Sequence, residues 1–173
     1  MTVHGTLVDV GSVGVLLLGP SGVGKSECAL ELISRGHRLV ADDVVRLEPH
    51  RDGWVVGSSP ENIRHHLEIR GLGIVYIPDL YGRARVLDRA KIDLVCSIAH
   101  WESGADYDRL GLDPSWRELG GVKVRELNLP ARPGGSMATI VEVAALEHRR
   151  LARGGESAAV RLDTRMRRAM GEP

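Results

Sequence analysis

Eight consecutive residues have the composition of a phosphate-binding loop. They fit the pattern G-x-x-x-x-G-K-[ST] at every position. Glycines let backbone N–H groups turn towards a phosphate, and a helix starting at Ser26 adds the positive end of its dipole. Lys25 can reach the outer phosphates of a nucleotide, and the Ser26 hydroxyl can bind Mg²⁺. The sequence therefore predicts a nucleotide site formed by Gly19, Pro20, Ser21, Gly22, Val23, Gly24, Lys25 and Ser26.

Two adjacent aspartates, Asp42 and Asp43, follow Lys25 by seventeen and eighteen residues. They end a short stretch, 38–42, that predicts a strand, and we expect this strand to lie beside the one that precedes the loop. Neighbouring residues of a strand point to opposite faces, so the two carboxylates would have different roles. One would act as the base for an incoming hydroxyl, and the other would orient the metal shell. A turn-forming acidic pair is the alternative.

A carboxylate and a guanidinium, Glu68 and Arg70, stand just before the glycines Gly71 and Gly73. Carboxylates suit Mg²⁺, and arginine suits phosphate oxygens. Exposed Glu and Arg before a turn are also common on protein surfaces. Taken alone, this segment leaves both interpretations open.

Other classes of nucleotide enzyme are disfavoured by missing motifs. The chain has no N-K-x-D motif for guanine, and no H-R-D-x-x-x-x-N or D-F-G motif of ordinary protein kinases. Its 23 basic and 23 acidic residues cancel, so no overall field attracts it to nucleic acid or to a membrane. Aromatic residues make up only 3%, which weakens a single-stranded nucleic-acid interpretation. We expect neither nucleic acid nor membrane as a partner.

The elements that must position these residues fit one domain of 173 residues. Only one strand–helix–strand unit follows the loop, so we expect an α/β fold whose sheet is mixed and largely antiparallel. The predicted helices cover 26–35, 59–66, 144–153 and 158–170. The predicted strands cover 3–10, 13–18, 38–42, two segments around the turn at 49–53, 74–77 (which Pro78 would end), 92–99, 122–129 and 137–143.

The two cysteines, Cys28 and Cys96, have neither a CxxC nor a zinc spacing. They are predicted to be buried as small hydrophobic residues rather than joined in a disulfide. The first residues lack a basic segment followed by an apolar one, and the aliphatic run 15–18 is too short to cross a bilayer. We therefore expect a cytoplasmic protein.

The sequence resembles the HPr kinase/phosphorylase family, bacterial serine kinases that act on the phosphocarrier HPr. The resemblance runs through almost the whole catalytic domain of that family. Its segments occur in the family's order and spacing, and "RGHRLVADD" and "EIRGLG" are specific to it. The matching segments are "VHGTLVD", "GPSGVGKSECALELISRGHRLVADD", "LEIRGLGI", "YDRLG" and "ARPGG…EVAA".

The resemblance implies an ATP- and Mg²⁺-dependent kinase with a fold similar to phosphoenolpyruvate carboxykinase and with C-terminal helices. It implies that His4 lies near the transferred phosphoryl group and that Asp43 removes the serine proton. It also implies that Glu68 joins Ser26 as a metal ligand. The catalytic residues implied by matched position are His4, Lys25, Asp43 and Arg109.

Three departures from the family pattern affect this reading. Full-length members carry a regulatory domain before the His-Gly pair, whereas here His4 is nearly the first residue. We therefore expect the short form, a single catalytic domain over 1–173 linked to regulation of a phosphotransfer system. Gly135 stands where the family commonly has arginine, which leaves open the reverse phosphorolysis, with inorganic phosphate consumed and pyrophosphate released. Pro20 stands where aspartate is frequent and would alter the rigidity of the loop.

The C-terminal segment, about 144–173, is helical by prediction and rich in arginine. In the family this end helps to dock HPr within a homo-oligomer, a hexamer; a solvated helix face is the alternative. Two rival functions remain for the whole chain. These are a small-molecule kinase or ATPase on the same loop, and a nucleotide-sensing module without catalysis.

Overall fold

The structure is a computed structural model that describes residues 1–103, 107 and 114–170. Its helices are α1 (Lys25–Ser34), α2 (Ile77–Tyr81), α3 (Met137–Ala152) and α4 (Ala158–Ala169), with short 3₁₀ turns at Glu61–Ile63 and Arg83–Arg85. Its strands are β1 (Thr2–His4), β2 (Thr6–Val10), β3 (Val13–Leu18), β4 (Arg38–Ala41), β5 (Val44–Pro49), β6 (Val55–Ser58), β7 (His66–Ile69), β8 (Gly73–Tyr76), β9 (Arg89–Lys91), β10 (Leu94–His100), β11 (Ser115–Leu119) and β12 (Val122–Ala131).

The largest sheet has six strands in the order β11-β12-β10-β3-β2-β4. Strand β10 runs parallel to β3 and β12, and the other three pairings are antiparallel. The prediction of a mixed, largely antiparallel sheet is therefore confirmed. A second sheet, β1-β5-β6-β9, is entirely antiparallel, and β7 pairs with β8 as a hairpin.

Both faces of the six-stranded sheet are covered. Val8 and Val15 belong to the apolar cluster that includes residues of α1 and α3, whereas Leu7 and Leu16 belong to the cluster that includes residues of β5 and β6. Alternate strand residues point to opposite faces, so a strand covered on both sides must be apolar throughout. This explains why β3 contains the aliphatic run 15–18 and no polar side chain. No helix in the described part of the chain is long and apolar enough to cross a membrane.

A break at Gly5 separates two strands where the sequence predicts one over 3–10. Strand β1 pairs with β5, while β2 pairs with β3 and β4 in the larger sheet. A Cβ atom at Gly5 would lie 2.7 Å from the carbonyl oxygen of Leu17, so the chain can change sheets only where no side chain is present. The break places His4 and Thr6 in different sheets.

The predicted strand over 137–143 is wrong, because these residues begin α3. Ser136 caps that helix by accepting a hydrogen bond from the backbone N–H of Thr139. Ala138, Val141 and Ala145 are buried at helical spacing. The β-branched run Thr139-Ile140-Val141 carried the strand prediction, and burial of one helix face overrides it.

Two further predictions about local structure are wrong. A helix over 59–66 is replaced by one 3₁₀ turn and the start of β7: Arg64 already has a ψ of +131°, and His65 then adopts a φ of +64°, so helical geometry cannot continue. Pro78 does not end the extended piece but lies in the first turn of α2, where a missing N–H costs nothing. Helix α1 and helix α4 lie close to their predicted bounds.

Candidate functional site

The phosphate-binding loop connects β3 to α1, as its pattern predicts. Gly19, Gly22 and Gly24 have φ values of +147°, +79° and +97°, and residues that carry a side chain rarely adopt such backbone angles. Lys25 is only 7% exposed, and its Nζ donates to the carbonyl oxygens of Gly19 (2.9 Å) and Pro20 (3.0 Å). The lysine therefore folds back over its own loop, and its charge lies where the phosphates of a nucleotide would bind.

The prediction that β4 lies beside β3 is wrong, although β4 still reaches this loop. Strand β2 stands between them and is antiparallel to both, so β3 and β4 run in the same direction. A short turn joins β2 to β3, so the two strands pair directly as a hairpin. Strand β2 therefore takes the place beside β3 that was predicted for β4. The carboxyl ends of β3 and β4 still meet at one edge of the sheet.

The predicted site residues come together at this edge. One cleft is lined by side chains from β1, from the loop and α1, from the end of β4, and from β7. Among the residues lining it are His4, Lys25, Ser26, Asp43 and Glu68. Ser21, Gly22 and Gly24 of the predicted loop also line the cleft, whereas Gly19, Pro20 and Val23 do not. The predicted Arg109 lies outside the described residues.

Asp42 is the buried member of the aspartate pair, 6% exposed. Its two carboxylate oxygens lie 3.1 Å and 3.0 Å from the Ser26 hydroxyl. The Thr6 hydroxyl donates to the same carboxylate at 2.7 Å, and the backbone N–H of Glu68 donates at 3.3 Å. Asp42 therefore orients the loop serine and connects it to β2 and β7.

Asp43 points into the open part of the cleft. Its Oδ1 lies 3.1 Å from Nδ1 of His4, and the two side chains are 61% and 55% exposed. Asp43 has a φ of +65°, and its backbone carbonyl accepts from the N–H of Gly5 at 3.1 Å. The two carboxylates diverge because of this left-handed turn, since β4 already ends at Ala41. The two side chains thus diverge for a different geometric reason from the strand alternation used in the prediction.

Ser26, Asp42 and Glu68 all line the cleft, and their side chains carry oxygen atoms. They are hard donors of the kind that Mg²⁺ prefers. Within the described ranges, no group of three His, Cys, Asp or Glu side chains forms a closed metal site. This donor set fits a magnesium ion that takes most of its ligands from phosphate oxygens and water, as in other nucleotide sites.

Arg70 is a functional candidate that the sequence prediction did not include among the site residues. Its guanidinium lies across the loop at Gly22, where a Cβ atom would come within 3.0 Å of it. Arg70 also lines the cleft together with Glu68, from which it is separated by one residue on the β7–β8 hairpin. Its position near a glycine pair was the available signal, but only the hairpin brings the charge over the loop.

A polar network joins α1 to α3 behind the loop. Glu142 accepts from Nη1 of Arg35 and pairs with Nε2 of His37, both at 2.8 Å. The hydrogen bond with His37, followed by the one with Arg35, lowers the pKa of Glu142. Ser136 donates to Glu31 at 2.9 Å, next to the segment 132–135. His37 thus joins the connection after α1 to α3 and does not line the cleft.

The fold and the cleft define a P-loop α/β domain with a serine-bound carboxylate below the loop and a second carboxylate in the open cleft. Residues 1–166 match the family model described as HPr Serine kinase C-terminal domain. The chain belongs to this family.

Relatives and a solved structure agree with this assignment. The HPr kinase/phosphorylase of Thermoanaerobacter sp. (strain X514) is 50% identical over 171 residues, which cover 99% of this chain and 56% of that protein. The HPr kinase/phosphorylase of Bacillus cytotoxicus is 48% identical, covering 97% of this chain and 54% of that protein. The chain thus spans about half the length of the curated relatives it matches. The Hpr(Ser) kinase/phosphatase structure from Coxiella burnetii is 31% identical with a TM-score of 0.80, covering 89% of this chain and 93% of that one.

Proposed function

We propose that this protein transfers the γ-phosphoryl group of ATP, with Mg²⁺, to a serine hydroxyl of an HPr-type phosphocarrier protein. One observation carries the proposal. Asp42 is engaged by the Ser26 hydroxyl, whereas Asp43 is exposed in the same cleft and contacts His4. The site therefore has one carboxylate on the nucleotide side and another on the side open to an acceptor.

The nucleotide half rests on the loop and on Lys25. Loop N–H groups and the start of α1 would hold the β- and γ-phosphates. Lys25 would exchange its bonds with the Gly19 and Pro20 carbonyls for bonds with phosphate oxygens, since both sets of acceptors lie within reach of a single lysine. Ser26 and Glu68, with Asp42 behind Ser26, would hold Mg²⁺. When bound, this ion neutralises charge that develops on the transferred phosphoryl group.

The acceptor half rests on Asp43. Its carboxylate would accept the proton of the serine hydroxyl as that oxygen attacks the γ-phosphorus. The contact with His4 restricts the rotation of the carboxylate and holds it towards the cleft. In the reverse direction the protonated Asp43 would return a proton to the serine oxygen while inorganic phosphate attacks phosphoserine. Pyrophosphate would be the product of that reaction.

The exposure of this half supports a protein acceptor over a small molecule. The side chains of His4 and Asp43 are both more than half exposed. Small-molecule sites usually enclose most of their ligand, whereas a serine on a protein surface must enter from outside. The role of Arg109 as a further catalytic residue rests on the family resemblance and forms part of the same proposal.

The test incubates the protein with γ-labelled ATP, Mg²⁺ and purified HPr, and locates the label by mass spectrometry. Label on an HPr serine supports the proposal, and the Asp43→Asn variant is the matched negative control. ATP hydrolysis without labelled HPr would favour the small-molecule kinase or ATPase, and ATP binding without turnover would favour the nucleotide sensor. A second incubation with phosphorylated HPr and inorganic phosphate measures pyrophosphate release.

The proposal extends to assembly and location. Helix α4 exposes Leu162 and Met166, the exposed Met170 follows the helix at the same spacing of four residues, and the arginines of α4 make it basic. A homo-oligomer, a hexamer by family resemblance, would cover part of this apolar surface. Light scattering on the purified chain measures its oligomeric mass.

A cytoplasmic location is proposed because HPr acts there in the family, and fractionation of cells that produce the protein tests it.

A further inference from the structure

Thr6 is a buried polar residue to which neither the loop motif nor the family resemblance gave a role. It is the first residue of β2 and has no exposed surface. Its Oγ1 donates a hydrogen bond of 2.7 Å to Oδ1 of Asp42. A buried hydroxyl needs such a partner, because an unsatisfied polar group in a protein interior is costly. The position of Thr6 is therefore tied to the orientation of Asp42.

The Asp42 carboxylate is held from both sides. Thr6 donates to Oδ1, and the backbone N–H of Glu68 donates to Oδ2. These two donors come from different strands and together determine the plane of the carboxylate. Ser26 then meets both oxygens at 3.0–3.1 Å. Because a carboxylate only accepts, the Ser26 proton must point to Asp42, and the serine lone pairs point away from it.

No charged side chain balances this carboxylate in the described ranges. Asp42 forms no ion pair there, and Lys25 is bonded to loop carbonyls instead. A nearly buried carboxylate with three hydrogen-bond donors and no cationic partner suits a cation that arrives with the ligand. The direction of the Ser26 lone pairs then decides how well that cation is held.

We propose that Thr6 is a positioning residue for the metal–nucleotide half of the site. It fixes Asp42 so that the Ser26 hydroxyl donates its hydrogen bond to Asp42 and would present its lone pairs to a magnesium ion. This inference rests on the proposed function only in taking Mg²⁺ and ATP as the ligands, and it does not involve HPr. A merely structural hydroxyl at this position would change the free energy of unfolding but not the dependence of nucleotide binding on metal.

The experiment measures ATP binding by calorimetry across a Mg²⁺ titration, with a parallel series in EDTA. The variants are Thr6→Val, which replaces the hydroxyl by a methyl group, and Thr6→Ser, which keeps it. Thr2→Val, an exposed threonine on β1, is the matched control. For Thr6→Val we expect the Mg²⁺ concentration for half-maximal ATP binding to rise about 10-fold, as is typical when a group behind a metal ligand is removed. Thr6→Ser and Thr2→Val should stay within about twofold of the original chain, and binding in EDTA should be equal for all variants.

An unchanged Mg²⁺ requirement for Thr6→Val would overturn the inference, as would an equal weakening in Mg²⁺ and in EDTA. If Thr6→Val fails to fold, Thr6→Ala is compared with Thr6→Ser, and an equal Mg²⁺ requirement in those two variants would also overturn it. The assay contains no HPr. A protein that binds Mg²⁺–ATP with the expected Thr6 effect but never phosphorylates HPr would contradict the proposed function and leave this inference standing.

Discussion

Nδ1 of His4 lies 3.1 Å from Oδ1 of Asp43, although the two residues belong to different parts of the fold. His4 ends β1, whereas Asp43 follows β4, which pairs with β2 in the other sheet. The contact forms because β1 pairs antiparallel with β5, which places His4 opposite Val44, the residue after Asp43. The pair therefore stands where the two sheets meet, at the open edge of the phosphate-binding cleft.

Asp43→Asn should abolish phosphoryl transfer to HPr while leaving ATP binding nearly intact. An amide keeps the shape of the side chain but cannot accept the serine proton, and loss of a general base costs roughly 10²–10⁴-fold in rate. Single-turnover transfer and calorimetric ATP binding measure the two effects. A fully active variant would contradict the assignment of Asp43 as the base.

His4→Gln should lower kcat for HPr phosphorylation by about 10-fold or more, with a smaller change in the KM for ATP. His4 contacts Asp43 and not the loop. The variant therefore lets the Asp43 carboxylate rotate more freely, but it removes no group that would bind phosphate. Steady-state kinetics with varied ATP separate these effects. The His50→Gln variant, in the β5–β6 turn, is the matched control. A rise in KM with unchanged kcat would assign His4 to substrate binding instead.

Gly135→Arg should fold normally and raise phosphorolysis relative to the forward reaction. A Cβ atom at Gly135 would lie 3.4 Å from the Arg132 carbonyl oxygen, an ordinary contact, so the backbone accepts a side chain there. The substitution restores the arginine that is common in the family. Pyrophosphate release from phosphorylated HPr, divided by the transfer rate, is the measurement. Well-folded protein with an unchanged ratio would show that Gly135 does not limit the reverse reaction.

Gly5→Ala should lower the free energy of unfolding by about 1–3 kcal/mol, because the added methyl group would overlap the Leu17 carbonyl. The same change should slow transfer, since Gly5 connects His4 to β2. Thermal or urea unfolding gives the stability difference. Gly135→Ala, whose added Cβ would make only an ordinary contact of 3.4 Å with the Arg132 carbonyl oxygen, is the control and should remain near the original stability. Equal unfolding curves for the two variants would contradict the steric argument.

Glu142→Gln should destabilise the protein at neutral pH by about 1 kcal/mol, because two partly exposed charge-assisted hydrogen bonds become weaker. The pKa of Glu142 is lowered in the folded state, chiefly by His37 and then by Arg35. Its stabilisation is therefore complete above the unfolded-state pKa and is lost as the pH falls through the folded-state pKa. Urea unfolding between neutral and acidic pH should show the two proteins converging in acid. A stability difference that is independent of pH would contradict this origin.

The nucleotide loop, helix α1 and the mixed character of the sheet are determined by the sequence alone. A glycine-lysine-serine pattern between an aliphatic run and an amphipathic segment allows few other local structures. The strand error over 137–143 has the opposite cause. The β-branched residues there have a local preference for a strand, but burial of Ala138, Val141 and Ala145 on one helix face outweighs it. That the chain forms a single catalytic domain over 1–173 remains a prediction.

Only the tertiary structure shows that Asp42 contacts Ser26 while Asp43 contacts His4. The family resemblance singled out Asp43 as the base by matched position, but alternation along a strand could not assign Asp42 to Ser26 and Asp43 to His4. The assignment comes from a left-handed residue at Asp43, from the buried Thr6 hydroxyl and from the β7 backbone at Glu68. The approach of Arg70 to Gly22 has the same origin. These contacts join residues from separate strands, and such pairings depend on how the sheets pack rather than on local sequence.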